Sequence, residues 1–373
     1  MRVNRARGDF WNWLHLQRNK TFVRFQQCAW PRTLPRMEGW SKNLSARVGA
    51  AVLATALGSG IAGAEPPVHT YSIVARDPDT GEMGVAVQSH WFSVGSIVTW
   101  AEAGVGAIAT QSFVDPGYGL RGLAMLKEGK AAPEVLDALV AADPQPEARQ
   151  AAIVDAQGRV ATYTGPMCIQ AAGHRVGKQF SVQANLMAND RVWPAMAEAF
   201  EKSAGDLADR MLAALEAGEA AGGDIRGRQS AAILVVKGES TGRPWAGADR
   251  VFDLRVDDHA EPLQELRRLV RLQRAYNHAN RGDELMAASK VEDALGEYAR
   301  AAGLAPEILE LPFWQAVTLA SAGREAEAMP IFADVFAREP QWVVLLPRLP
   351  AAGLLPDDPA LIERILSRAP AAK

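Results

Sequence analysis

The chain has 373 residues, 48% of them apolar and 22% charged, with a formal net charge of −3. This is the make-up of a globular protein with room for two or three domains. Near-neutral charge and the lack of a basic block exclude a phosphate-tracking surface, so no nucleic acid is expected as a partner.

Residues 1–36 are basic, Trp-rich and aperiodic. Met37 opens a leader-like order: Lys42 and Arg47 as a charged segment, an apolar run over 48–57, then Ala62-Gly63-Ala64 as a small-residue cleavage site. Residues 1–64 are therefore expected to be an N-terminal extension and signal peptide, with a periplasmic or secreted mature protein. The apolar run is too short to cross a bilayer, so no stable membrane span is expected after cleavage. The competing reading is a cytoplasmic tail followed by a buried helix. Cys28 lies in the extension, which leaves Cys168 as the single cysteine of the mature chain and no intrachain disulfide.

From Thr70 onward, strands are expected over 70–76 and 83–89. Asp77-Pro78-Asp79-Thr80-Gly81 joins them, with Gly81 supplying a positive φ. A third strand follows over 105–111. Helices are expected over 119–128, closed by Gly129, and over 132–141, closed by Asp143-Pro144. Strands return over 150–155 and 160–164, joined by the hairpin signal Ala156-Gln157-Gly158, and again over 180–185. Ala- and Leu-rich helices over 192–203 and 207–217 end at Gly218 and Gly222-Gly223. Strands over 230–237 and 251–256 finish the unit. Strand blocks separated by helix pairs do not suit a βαβ sheet. They suit two antiparallel sheets stacked face to face with helices outside, an α+β four-layer αββα sandwich over residues 65–262.

After Glu261-Pro262 the strand-forming residues vanish. Leu285, Ala294, Tyr298, Ala301 and Pro306 return 34 positions later as Leu319, Ala328, Phe332, Val335 and Pro340. A 34-residue period with a small Ala, an aromatic four positions on and a closing Pro matches the tetratricopeptide signature. Residues 263–373 are expected to form a small all-α repeat domain. It would lean on the preceding domain and offer a surface for a protein or cell-wall partner.

Five ordered segments carry a family resemblance: TYSIVARDPDTGEMGVAVQS, EAGVGAIATQS, RQAAIVDAQGRVATYTG, AGGDIRGRQSAAILVV and DLRVDDH. Over about residues 69–260 the chain resembles the domain of unknown function 1028 family. That resemblance implies an N-terminal-nucleophile (Ntn) hydrolase fold, the αββα sandwich of proteasome subunits and aspartylglucosaminidases. It brings no established substrate. Two departures stand out: Gln183-Ala184-Asn185 replaces the family's usual Gln-Gly-Asn, and the aromatic common near Ala171 is missing.

Thr70 heads the first strand, where such hydrolases keep their nucleophile. Its own α-amine, with a pKa near 8, would serve as base once the bond after His69 is cut. The alternative is a β-branched residue opening a strand. Cys168 and His174, six apart on a Gly-bounded loop, are a second nucleophile–base candidate, with His174 the stronger functional candidate of the two. Asn185, Gln111 and Ser89 end strands, and Arg228-Gln229-Ser230 enters one. All could line a pocket for a small-molecule or peptide substrate, and Gln111, Asn185 and Ser230 could donate to an oxyanion. Equally, they could satisfy backbone groups at strand ends. Asp257, which shares a face of an extended chain with His259, could also bind substrate; no second cluster at metal spacing accompanies the pair, and capping at the domain junction is the alternative. No metal and no cofactor are expected. The leading functional expectation is an exported amide hydrolase acting through Thr70. The alternatives are a non-catalytic binding protein of the same fold and an assembly role.

Overall fold

The computed structural model describes residues 67–68, 70–243 and 247–370. The expected leader over residues 1–64 lies outside the described residues. The fold is mixed α/β, with two antiparallel sheets and a helical C-terminal region.

The smaller sheet runs β1 (Pro67–Val68), β5 (Gly106–Phe113), β6 (Arg149–Asp155), β7 (Val160–Thr164), with β4 (Thr99–Glu102) also paired to β5. The larger runs β11 (Arg250–Val256), β10 (Ser230–Val236), β3 (Met83–Ser89), β2 (Thr70–Arg76), β9 (Phe180–Ala184), β8 (Gly173–Gly177). The β2–β3 turn has Gly81 at φ 74°, in the left-handed region that glycine enters without penalty.

Side-chain alternation sorts each strand between two layers. Val74, Val85 and Val87 of the larger sheet meet Ala107, Ala109, Ala152 and Val154 of the smaller one, so the sheets pack face to face. Ile108 and Ile153 point the other way. They are covered by Leu126 of α2 (Gly117–Lys127) and by Val135 and Leu139 of α3 (Ala132–Ala142). The outer face of the larger sheet, with Tyr71, Ile73, Val182 and Ile233, is covered by α4 (Val192–Lys202), α5 (Leu207–Ala220) and the start of α6 (Pro262–Ala287). Each fully buried Leu, Ile or Val in these layers contributes about 1.5–3 kcal/mol. A four-residue helix, α1 (Gly95–Val98), precedes β4.

Four features fix the helices. Pro133 and Glu134 open α3, and Glu134 Oε2 accepts the Ala131 N–H at 2.8 Å. Asp206 caps α5 by accepting the Asp209 N–H at 2.9 Å. Gly119 on α2 lies against the Trp100 ring, where a Cβ would come within 2.2 Å. Helix α6 is 26 residues long, about 39 Å at 1.5 Å per residue. Its first half buries Leu263, Leu266 and Val270 against the sheet.

The second half of α6 forms a hairpin with α7 (Val291–Leu304), and α8 (Glu310–Ser321) forms another with α9 (Glu325–Arg338). Positions 34 apart play the same part in both. Ala294 and Ala328 are fully buried, Tyr298 packs on Gly282 and Phe332 on Phe313 of the preceding helix, and Pro306 and Pro340 lie just past α7 and α9. Residues 67–348 and 358–370 form one compact unit. Within residues 349–357, a single 3-10 turn, Pro350–Ala352, ends at Gly353 with φ 73°. Among the described residues no helix is long and apolar enough to cross a membrane.

Candidate functional site

The layer between the sheets changes character along its length. At one end it is Val and Ala. At the other, two rows of polar side chains face each other. Thr70, Ser89 and Ser230 are neighbours across β2, β3 and β10. Gln111, Gln150 and Thr164 are neighbours across β5, β6 and β7. Ser72, Ser181, Gln183 and Asn185 join them, and all of these except Thr164 are fully buried. Buried amides and hydroxyls cost about 1–3 kcal/mol each unless bonded, so the bonds among them decide whether the sandwich tolerates this end.

They are densely bonded. Gln150 Oε1 accepts from Gln111 Nε2 at 2.7 Å and from Asn185 Nδ2 at 2.9 Å. Its Nε2 donates to Ala184 O at 2.9 Å and Thr164 Oγ1 at 3.0 Å. Ser72 Oγ donates to Gln111 Oε1 at 2.6 Å and accepts from Gln183 Nε2 at 2.5 Å. Thr70 lies at the edge of this network. Its Oγ1 donates to Ser89 Oγ at 3.1 Å. Its carbonyl accepts from Gln111 Nε2 at 3.1 Å, from the Asn185 N–H at 3.1 Å and from Asn185 Nδ2 at 3.4 Å. Both donor residues are followed by a non-glycine in the left-handed region, Ser112 at φ 70° and Leu186 at φ 55°. Such backbone costs about 1–3 kcal/mol and concentrates at functional sites.

The structure brings Thr70, Ser89, Gln111 and Asn185 together. The Gln111 and Asn185 amides are directed at the Thr70 carbonyl and at Gln150. They hold the main chain at Thr70 rather than an incoming oxygen. Ser230 Oγ donates to Trp91 O at 2.5 Å and accepts from the Val94 N–H at 3.1 Å, so it shapes the 91–94 segment. His174 sits on β8 opposite Gln183, with Nδ1 2.8 Å from Thr164 Oγ1. It reaches the Thr70 cluster through Thr164 and Gln150, whose Oε1 takes both the Gln111 and the Asn185 amides. Partial desolvation of its ring lowers its pKa. Cys168 is buried, its thiol 3.4 Å from Arg149 O and pushed up in pKa by that burial. It is not hydrogen-bonded to His174.

Arg228, Gln229 and Asp257 lie outside the inter-sheet layer. Arg228 pairs with Glu219 at 2.6 Å and with Glu261. Gln229 Nε2 donates to Asp258 at 3.3 Å, and Asp257 accepts from Ser93 Oγ at 2.7 Å. Glu219 also takes the Tyr71 hydroxyl at 2.7 Å, beside Gln88. Burial, followed by the Glu219 charge, raises the Tyr71 pKa well above its ordinary value. Among the described residues no group of three or more His, Cys, Asp or Glu is placed to hold a metal.

Sequence reasoning missed Ser72, Gln150, Gln183 and Thr164. The available signal was their phase. Each is polar at a position whose neighbours two residues along face the other sheet. The segment before Thr70 also matters. Val68 and Pro67 pair with Ser112 and Phe113 in the smaller sheet while Thr70 pairs with Ser89 in the larger one, so the chain changes sheets between Val68 and Thr70. The Thr70 nitrogen is thereby an amide, which cannot act as a base.

The profile of a family described as "Family of unknown function (DUF1028)" matches residues 70–266. Among solved structures, a Silicibacter pomeroyi protein bearing the same family label is similar, with 30% identity, 54% of this chain and 84% of that chain covered, and a TM-score of 0.49. No curated protein matches.

Proposed function

The chain belongs to the DUF1028 family, whose profile spans more than half of it, and we propose that it is an exported Ntn-type amidohydrolase in which Thr70 is the nucleophile. One observation carries this reading. Thr70 stands at the head of β2, at the polar end of the inter-sheet layer, with its hydroxyl on Ser89 and its carbonyl held by Gln111 and Asn185. The helix–sheet–sheet–helix layering supports an Ntn αββα sandwich, and the 34-residue correspondence of the two helix hairpins supports a tetratricopeptide-like extension that docks a protein or cell-wall partner. Export rests on the leader-like order of residues 37–64.

In this mechanism, removal of His69 and everything before it frees the Thr70 α-amine. The amine takes the proton as Oγ1 attacks the amide carbonyl of a small or peptide-like substrate. The tetrahedral intermediate collapses as the leaving nitrogen receives that proton. Water then hydrolyses the resulting ester, with the amine again as base. Gln111, Asn185 and Gln150 keep Thr70 in position throughout. The test is a chain beginning at Thr70, assayed against small amides and N-acyl amino acids. Thr70→Ala should abolish hydrolysis and Thr70→Ser should retain part of it. Activity that survives Thr70→Ala and disappears in Cys168→Ala would move the chemistry to the 168–174 loop.

A specific observation favours a second reading, a non-catalytic binding module. β1 pairs with β5, so residues 67–68 are built into the smaller sheet, and in the uncut chain the Thr70 nitrogen is an amide bonded to His69. Ligand retention without hydrolysis by the chain beginning at Thr70 would support that module.

A further inference from the structure

Beside the polar end of the inter-sheet layer the surface turns apolar. Asn185, whose N–H holds the Thr70 carbonyl, is followed by Leu186. The Leu186 N–H donates to Ile169 O at 2.8 Å, and the Leu186 carbonyl accepts from the Ile225 N–H at 3.3 Å. Three segments therefore run side by side: 169–171 after β7, 186–188 after β9 and 223–225 before β10. Met187 and Asp224 form an antiparallel bridge, and both are buried. Leu186 and Ile225, one step along each segment, stand opposite each other and turn to the other side. Ile225 is 62% exposed and Ile169 39% exposed, with Leu186 half-buried between them.

A lone exposed aliphatic side chain is ordinary, but neighbours on adjacent segments make a patch, and such patches mark binding sites. This patch begins one residue from a Thr70 contact. Asn185 is fully buried against the Thr70 carbonyl, and Leu186 borders the outside. Leu186 is held at φ 55°, in the left-handed region that bulky side chains avoid. The charges flanking Ile225 are matched, Arg226 with Asp224 at 2.7 Å, which suits an apolar group rather than an ionic one.

We propose that Ile169, Leu186 and Ile225 form the subsite for an aliphatic acyl group, so that the substrates are amides of medium-chain carboxylic acids. The reacting bond rests on the Thr70 chemistry proposed above; the exposure of the patch does not. In that chemistry the acyl half stays bonded to Thr70 Oγ1 as an ester until water releases it, whereas the amine half departs after the first step. A grip fixed one residue from a Thr70 contact serves the half that stays. Three segments at about 4.8 Å spacing span roughly 10 Å, room for an alkyl chain of middling length.

The probes are N-octanoyl-alanine and N-acetyl-alanine, titrated calorimetrically into the full chain, with their hydrolysis by the chain beginning at Thr70 followed in parallel. The octanoyl compound should bind at least about tenfold more tightly, since each methylene covered is worth roughly three- to fourfold. Ile225→Ser and Ile169→Ser, at exposed positions where serine leaves the core intact, should each weaken octanoyl binding about three- to tenfold. Val344→Ser, which is equally exposed at 60% but lies in the helical region, should leave it unchanged. Equal binding of the two compounds, or octanoyl binding indifferent to both isoleucine variants, would overturn the subsite. Octanoyl binding that is weakened in those variants, with no hydrolysis by the chain beginning at Thr70, would keep the subsite and overturn the Thr70 chemistry. Conversion of a dimer to a monomer by Ile225→Ser, with octanoyl binding unaltered, would assign the patch to a second copy of this chain instead.

Discussion

Gln150 shows how a single side chain can tie two sheets together. Its carbonyl oxygen gathers the Gln111 and Asn185 amides, and its nitrogen reaches across to Ala184 of the other sheet and along its own sheet to Thr164. Gln150→Ala leaves two buried donors and a buried carbonyl without this partner. We expect it to cost about 2–4 kcal/mol, measured by urea unfolding, where a conservative surface change would cost almost nothing. His174 gives a pH signature. Its folded-state pKa is lowered by desolvation, below the ordinary value of about 6.5. Just below that value the unfolded chain binds more protons than the folded one, so stability falls as pH drops through the window. His174→Gln should flatten that part of the curve of melting temperature against pH, and an unchanged difference from wild type between about pH 7 and 5 would contradict the assignment. The sequence pointed to Thr70, Ser89, Gln111 and Asn185 because each ends or begins a strand. It could not show Gln150 or Gln183, because one sequence does not state which strands lie opposite one another. It paired Cys168 with His174 by closeness in number, but the turn into β8 separates them.

Strands β2, β3 and β7 have the limits expected from turn chemistry and β-branched runs, and the main helices agree to within a few residues. The elements that escaped notice have reasons. Gly173–Gly177 is held as a strand by its pairing to β9, since two glycines and an exposed centre give it little propensity of its own. Thr99–Glu102 is four residues long and follows a single helical turn. Among the helices, the small residues of the repeat can be tested. Ala294 and Ala328 are fully buried where paired helices meet. Ala294→Leu or Ala328→Leu should cost about 1–3 kcal/mol by overpacking. If both variants melt as wild type does, the close helix approach is not what those alanines provide.

Helix α6 decides how the molecule behaves as a whole. The composition shift at Pro262 marks its first residue, yet the helix belongs to both regions. Leu263, Leu266 and Val270 complete the core over the larger sheet, while Ala275 and Leu285 pack into the helical region. Arg267 pairs with Glu216, and Arg274 pairs with Asp206 and Asp209, which fastens α6 to α5. We therefore expect one cooperative unfolding transition for residues 65–373. A chain ending at residue 261 should lose stability through exposure of Phe252 and Val256, read as a lower melting temperature or as insolubility; two well-separated calorimetric transitions in the longer chain would contradict this. The proposed chemistry turns on Thr70, and it can be tested without knowledge of the substrate. A chain beginning at Thr70 is treated with a β-lactone, digested with trypsin and analysed by mass spectrometry. An acyl adduct is expected on the peptide 70–76, absent from Thr70→Ala and absent when residues 65–69 are retained. An unlabelled peptide 70–76, or an adduct that persists in Thr70→Ala, would contradict it.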